Sequence, residues 1–144
     1  MLKQDDDVVR AIKLAGEAHK NDLWGEYPYM VHLAITAHYA QDYGVSPVPA
    51  LLHDVIEDHP EFLERIEKEF PEWVEVLLLL SRRDDETYNE YITRLILSEN
   101  VVALKIKLSD LKCNRGNNPP GRLIARYDKA TERVSGALMR LGGY

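Results

Sequence analysis

Apolar residues recur at three- and four-residue intervals along almost the whole chain, and no alternating strand pattern runs longer than a few residues. That period belongs to α-helices burying one face, so the chain is expected to be all-α. Val8, Val9, Ile12 and Ala15 mark a first helix, with His19 near its end and acids at positions 5–7 near its start. Gly25 and Pro28 make residues 21–29 a loop. A second helix runs from Pro28 to about Tyr43 and stops at Gly44. Ser46-Pro47-Val48-Pro49 punctuates the chain, and a third helix then carries residues 51–58. Pro60 and Pro71 open the fourth and fifth. Residues 82–86 form a charged turn, followed by helices over about 87–98 and 100–113. Residues 114–121, rich in Asn, Pro and Gly, give the strongest loop signal, and a last helix spans about 123–141. Residues 101–108 are β-branched enough to suggest a strand, but their length and position favour a buried helix. The expectation is one all-α domain over residues 1–144, a bundle of about seven or eight helices.

The chain has 144 residues, enough to bury a real core. Hydrophobic residues at 45% and charged residues at 29% are ordinary for a soluble globular protein, and no apolar stretch is long enough to span a membrane. The acidic N-terminus is unlike a secretory signal. One cysteine, Cys113, excludes an internal disulfide framework and points to a reducing cytoplasm. A net charge of −6 argues against a nucleic-acid partner but leaves room for a small phosphorylated ligand. The oligomeric state stays open.

The chemistry concentrates in Leu51-Leu52-His53-Asp54-Val55-Ile56-Glu57-Asp58. Adjacent imidazole and carboxylate groups can bind one divalent cation, and such a cation would compensate for burying them beside two leucines. On a helix, His53 and Glu57 are four apart, as are Asp54 and Asp58, so both acids can reach metal-bound water or substrate. His32 and Asp110, on other helices, could complete the metal shell.

Taken together, Pro28-Tyr29-Met30-Val31-His32, the LLHDVIED run, and Lys107-Leu108-Ser109-Asp110-Leu111 with Asn114 resemble the HD-domain metal-dependent phosphohydrolases and their H…HD…D pattern. The branch most resembled is that of the (p)ppGpp hydrolases: the hydrolase domain of RelA/SpoT-type enzymes and the small stand-alone alarmone hydrolases of the stringent response. The resemblance covers about residues 8–140. It implies an HD-domain helical bundle in which His32, His53, Asp54 and Asp110 bind one divalent metal, Mn2+ foremost, with iron or zinc as alternatives. It implies Glu57 and Asp58 as paired catalytic acids, orienting and deprotonating the attacking water and handling the leaving oxygen's proton. Asn114 matches a nucleotide-contacting asparagine, Tyr88 could line the nucleotide cleft, and Lys20, Arg82 and Arg115, with Arg83, Lys107 and Arg126, are candidate cations for the pyrophosphate. The implied reaction removes pyrophosphate from the 3′ position of a guanosine alarmone, in a stand-alone hydrolase without opposing synthetase activity.

The chain departs from that branch before the first ligand. Its relatives carry basic residues there, one stacking on guanine, whereas residues 21–27 here are acidic and aromatic, leaving Trp24 or Tyr27 as the candidate stacking group. Leu33 and Cys113 also replace the branch's usual proline and histidine. Two alternatives follow: an HD phosphatase acting on deoxynucleotides or the 2′-phosphate of NADPH, and a nucleotide-binding module without turnover.

Overall fold

The computed structural model describes residues 3–143. Helix α1 (Lys3–Ala18) buries Ala11, Leu14, Ala15 and Ala18. A two-residue antiparallel ladder follows, β1 (Leu23–Trp24) against β2 (Tyr27–Pro28), turning through Gly25 at φ +62°. Then come α2 (Tyr29–Asp42), α3 (Pro47–Leu52) and the single turn α4 (Val55–Asp58). Short 3-10 turns at Pro60–Phe62 and Pro71–Trp73 lead into α5 (Leu63–Glu69) and α6 (Val74–Leu80). Helices α7 (Tyr88–Ser98), α8 (Val101–Arg115) and α9 (Gly121–Arg140) complete the bundle. Among the described residues, eight helices exceed a single turn, as the periodicity predicts, and none is long and apolar enough to cross a membrane.

Local signals explain the elements. Ser46 caps α3 by accepting from Val48 N–H, and Pro47 occupies the first turn, where a missing N–H costs nothing. Thr87 and Glu90 form a reciprocal capping box at the start of α7. Asn100 caps α8 through Ala103 N–H. Helix α8 is the hub, packed against α2, α6, α7 and α9. Its polar residues Lys107, Ser109 and Asp110 are buried along with its leucines. Buried polar groups need partners, so α8 is where this fold must satisfy charge internally.

Three expectations about boundaries change. The residue 51–58 helix is broken: α3 begins earlier, at Pro47, and ends at Leu52, and a turn through His53 and Asp54 separates it from α4. Ala50 O, which would accept from Asp54 N–H in a continuous helix, instead accepts the His53 imidazole at 2.6 Å. The 21–29 loop contains the small hairpin. Asn114 and Arg115 are helical, at the end of α8, rather than in the following loop.

Candidate metal centre

Four side chains from separate parts of the chain converge. His32 lies on α2, His53 and Asp54 in the turn between α3 and α4, and Asp110 on α8. Their ligand atoms all lie within 4.8 Å of one another. His32 Nε2 is 3.0 Å from Asp110 Oδ1 and 3.5 Å from Asp54 Oδ2. His53 Nε2 is 3.0 Å from Asp54 Oδ2 and 3.2 Å from Asp110 Oδ1. With metal–ligand bonds of about 2.1 Å, neighbouring ligand atoms stand about 3.0 Å apart in an octahedron and about 3.4 Å apart in a tetrahedron. The observed separations span those edges. The group could hold a divalent metal ion.

Outer partners orient the donors. His53 Nδ1–H donates to Ala50 O, so Nε2 faces the centre with its lone pair. His32 Nδ1 lies 3.2 Å from Cys113 Sγ, while that thiol donates back to His32 O at 3.7 Å. The sulfur therefore accepts from Nδ1–H and leaves the His32 Nε2 lone pair facing inward. Tyr29 OH donates to Asp54 Oδ2 at 2.6 Å. The two oxygens of Asp110 are divided: Oδ2 accepts from Lys107 Nζ at 2.8 Å, and Oδ1 faces the histidines with Asn114 Nδ2 at 3.2 Å.

The electrostatics call for positive charge between these nitrogens and oxygens. Burial opposes a charged His32, but hydrogen bonds to Asp110, Asp54 and Cys113 outweigh it and push the imidazole up to about 12. His53 rises to about 10 against its burial, through Asp54 and Asp110. Asp54 and Asp110 are held below the usual carboxylate range although burial would raise them, Asp54 by His53 and His32, Asp110 first by Lys107. Protons or one metal ion can meet that demand, and they compete for the same lone pairs.

A cavity of about 210 Å³ opens over the centre, lined by Asp54, Glu57, Arg82, Tyr88, Lys107 and Asn114 among others. Glu57 accepts from the Arg82 backbone N–H at 2.6 Å, and its carboxyl is raised by burial and the negative charge of Asp54. Asp58 diverges from it. Asp58 borders a neighbouring groove with Asp22 and His59, while Glu57 lines both spaces. Partial desolvation, then Asp54 and Glu57, raise the Asp58 carboxyl to about 7. Beside that groove, the buried His19 approaches Asp22 Oδ2 through Nδ1 at 2.7 Å, and His59, which lines it, through Nε2 at 2.6 Å. These are hydrogen-bond distances, shorter than metal-polyhedron edges, so the three residues form a hydrogen-bonded triad.

The remaining sequence-predicted residues divide. Arg82, Tyr88 and Asn114 line the cavity. Trp24 does not: its indole N–H donates to Asn114 Oδ1 at 3.0 Å, and its ring sits 5.3 Å from that of His32. Lys20 is exposed at the end of α1, and Arg115 pairs with Asp128 at 3.0 Å, outside the cavity. The roles of Tyr29 and Cys113 toward the ligands were not anticipated. Spacing carried no signal for either, since Tyr29 reaches Asp54 from another element and Cys113 on α8 reaches His32 on α2 across 81 residues. No protein-family model matches the chain, and comparison with curated proteins finds no significant match.

Proposed function

We propose that the protein is a metal-dependent phosphohydrolase acting on a phosphorylated nucleotide, with guanosine 3′,5′-bis(diphosphate) as substrate, releasing pyrophosphate from the 3′ position. The observation that carries this reading is the convergence of His32, His53, Asp54 and Asp110 at polyhedron-edge separations beneath a cavity that also holds Glu57 and cations. Mixed imidazole and carboxylate donors suit Mn2+, with iron or zinc as the other candidates. Such a metal, when bound, lowers the pKa of water and offsets charge on phosphate. Glu57, its carboxyl raised by desolvation and by Asp54, lines the cavity and is placed to take a proton from the attacking water. Asp58 faces the adjoining groove, where it can accept or return a proton at the rim. Lys107, buried and anchored on Asp110, contributes fixed positive charge, and Arg82 and Arg126 are among the residues lining the same cavity, as cations for the phosphoryl oxygens.

One observation favours a second substrate. The hairpin before α2 supplies no cation to the cavity, and the Trp24 indole is committed to Asn114. Neither Trp24 nor Tyr27 lines the cavity, so no ring of this segment is offered there to a guanine, which supports a different nucleotide, such as a deoxynucleotide or NADPH at its 2′-phosphate. The test is phosphate and pyrophosphate release by Mn2+-loaded protein from ppGpp, NADPH and deoxynucleoside phosphates, with Asp54→Ala as control. Metal-dependent pyrophosphate release from ppGpp, lost in the variant, is the expected result. Orthophosphate release from another nucleotide moves the substrate. Ligand binding without turnover, equal in wild type and Glu57→Ala, makes the protein a binding module instead.

A further inference from the structure

The last helix carries a basic stripe outside the metal centre. Arg122, Arg126, Lys129 and Arg133 follow at intervals of four, three and four, so they share one face of α9. With Thr87, Tyr88, Asn89 and Ile92 they line a groove of about 430 Å³ between α7 and α9. No carboxylate pairs with any of the four among the described residues, in a chain whose net charge is −6. Arg133 is tied to α7 through Asn89 O at 3.4 Å and Thr93 Oγ1 at 2.6 Å. Arg126 lies over the Tyr88 ring, 4.8 Å from its centroid. Arg122 and Lys129 are exposed and bond to nothing among the described residues.

Left to itself, this arrangement is unfavourable. Like charges four apart on a helix repel, as Arg122–Arg126 and Lys129–Arg133 do. Arg122 also sits in the first turn of α9, which contains no acid, against the positive end of the helix dipole. An anion in the groove reverses both penalties. The groove adjoins the cavity over the metal centre, because Tyr88 and Arg126 line both. Tyr88 lines both, and its hydroxyl is buried with no hydrogen-bond partner among the described residues.

We propose that the α7–α9 groove is a second anion subsite, holding a phosphate or diphosphate group of the substrate while another phosphate group of the same molecule lies at the metal centre. The inference rests on the phosphohydrolase reading above. It assigns Arg122 and Lys129 to binding a second phosphate group of the substrate, with Arg126 and Tyr88 at the junction of the two spaces.

The test uses Arg122→Gln combined with Lys129→Gln, since neither side chain holds the fold together. Pyrophosphate alone is titrated calorimetrically into metal-stripped protein, so that no metal ion draws it to the centre. Wild type is expected to bind, and the double variant about tenfold more weakly or worse, the usual scale for losing charge-assisted contacts. In Mn2+-loaded protein the double variant should raise KM for ppGpp by a similar factor and leave KM unchanged for guanosine 3′-diphosphate, which lacks the 5′ phosphates. Equal pyrophosphate affinity in wild type and variant overturns the subsite. Weakened pyrophosphate binding with unchanged KM for ppGpp gives the groove to a separate anion and overturns its role in substrate binding. Turnover of neither nucleotide sinks the proposed activity, and the pyrophosphate titration still decides the groove.

Discussion

Lys107→Met tests how the centre is held together. The Lys107 ammonium lies 2.8 Å from Asp110 Oδ2, with the two side chains 10% and 8% exposed. Pairing keeps both ionised: Asp110 is the main influence holding Lys107 well above its ordinary value against its burial, and Lys107 the main one lowering Asp110. Methionine keeps most of the aliphatic stem but removes the charge, and with it the ammonium's approach to the Tyr88 and Tyr91 rings at 5.6 and 5.0 Å. Removing one partner of a buried pair costs about 3–5 kcal/mol, because the other charge is left uncompensated. For a chain of this size that is a fall in Tm of roughly 10–17 °C. A divalent ion beside Asp110 Oδ1 would replace the missing positive charge. Thermal unfolding with and without Mn2+ should therefore show the metal-stripped variant strongly destabilised and much of the deficit recovered on adding Mn2+. The Mn2+-induced rise in Tm should be larger in the variant than in wild type. Equal deficits with and without metal would falsify the claim that lysine and metal neutralise the same carboxylate.

Three further outcomes follow from the same contacts. Cys113→Val removes the sulfur that orients His32 Nδ1 and should weaken Mn2+ affinity about 10- to 100-fold in a competition titration, whereas Cys113→Ser should retain most of it. Trp24→Phe keeps the ring near His32 but deletes the indole bond to Asn114, and should lower stability by about 1 kcal/mol in urea unfolding; no change would show that the bond contributes nothing. Asp58→Asn has a pH signature. The Asp58 carboxyl is raised to about 7, so the folded state holds its proton more tightly than the unfolded state does. The charged form costs stability above about pH 7, and that cost is relieved as pH falls from there toward the ordinary carboxylate value near 4. Metal-stripped Asp58→Asn should thus be more stable than wild type at pH 8, with the gap closing by about pH 4. Because Asp58 is open to solvent, the gap will be small, and a pH-independent gap would exclude the repulsion.

Much of the helical order was legible because it depends on local rules: apolar spacing, Pro at first turns, Thr87 with Glu90, and Gly44 after α2. The buried ligand set was also suggested by residue type and context, since His53, Asp54 and Asp110 lie among leucines that must be buried. Long-range pairing was not legible. Nothing local announces that Cys113 meets His32 across 81 residues, or that Trp24 reaches Asn114 across 90. The same limit explains why Lys20, Trp24 and Arg115 looked equal to Arg82 and Tyr88 in one dimension yet lie outside the cavity in three.

The broken helix at residues 53–54 shows how local and long-range demands meet. Consecutive residues on an α-helix point about 100° apart, so an uninterrupted helix cannot easily aim both His53 and Asp54 at one point. Continuity from 51 to 58 and a shared centre for this doublet were competing expectations. The chain resolves them by ending α3 at Leu52 and restarting at Val55, with Asp54 at φ −101° and ψ −4° between the two. The His53 imidazole then bonds back to Ala50 O, and Tyr29 secures Asp54. On the restarted helix, Glu57 lines both the cavity and the neighbouring groove, whereas Asp58 lines the groove. One local break therefore sets the ligand geometry, and the turn of helix that follows it separates the two acids, each with its own proton affinity.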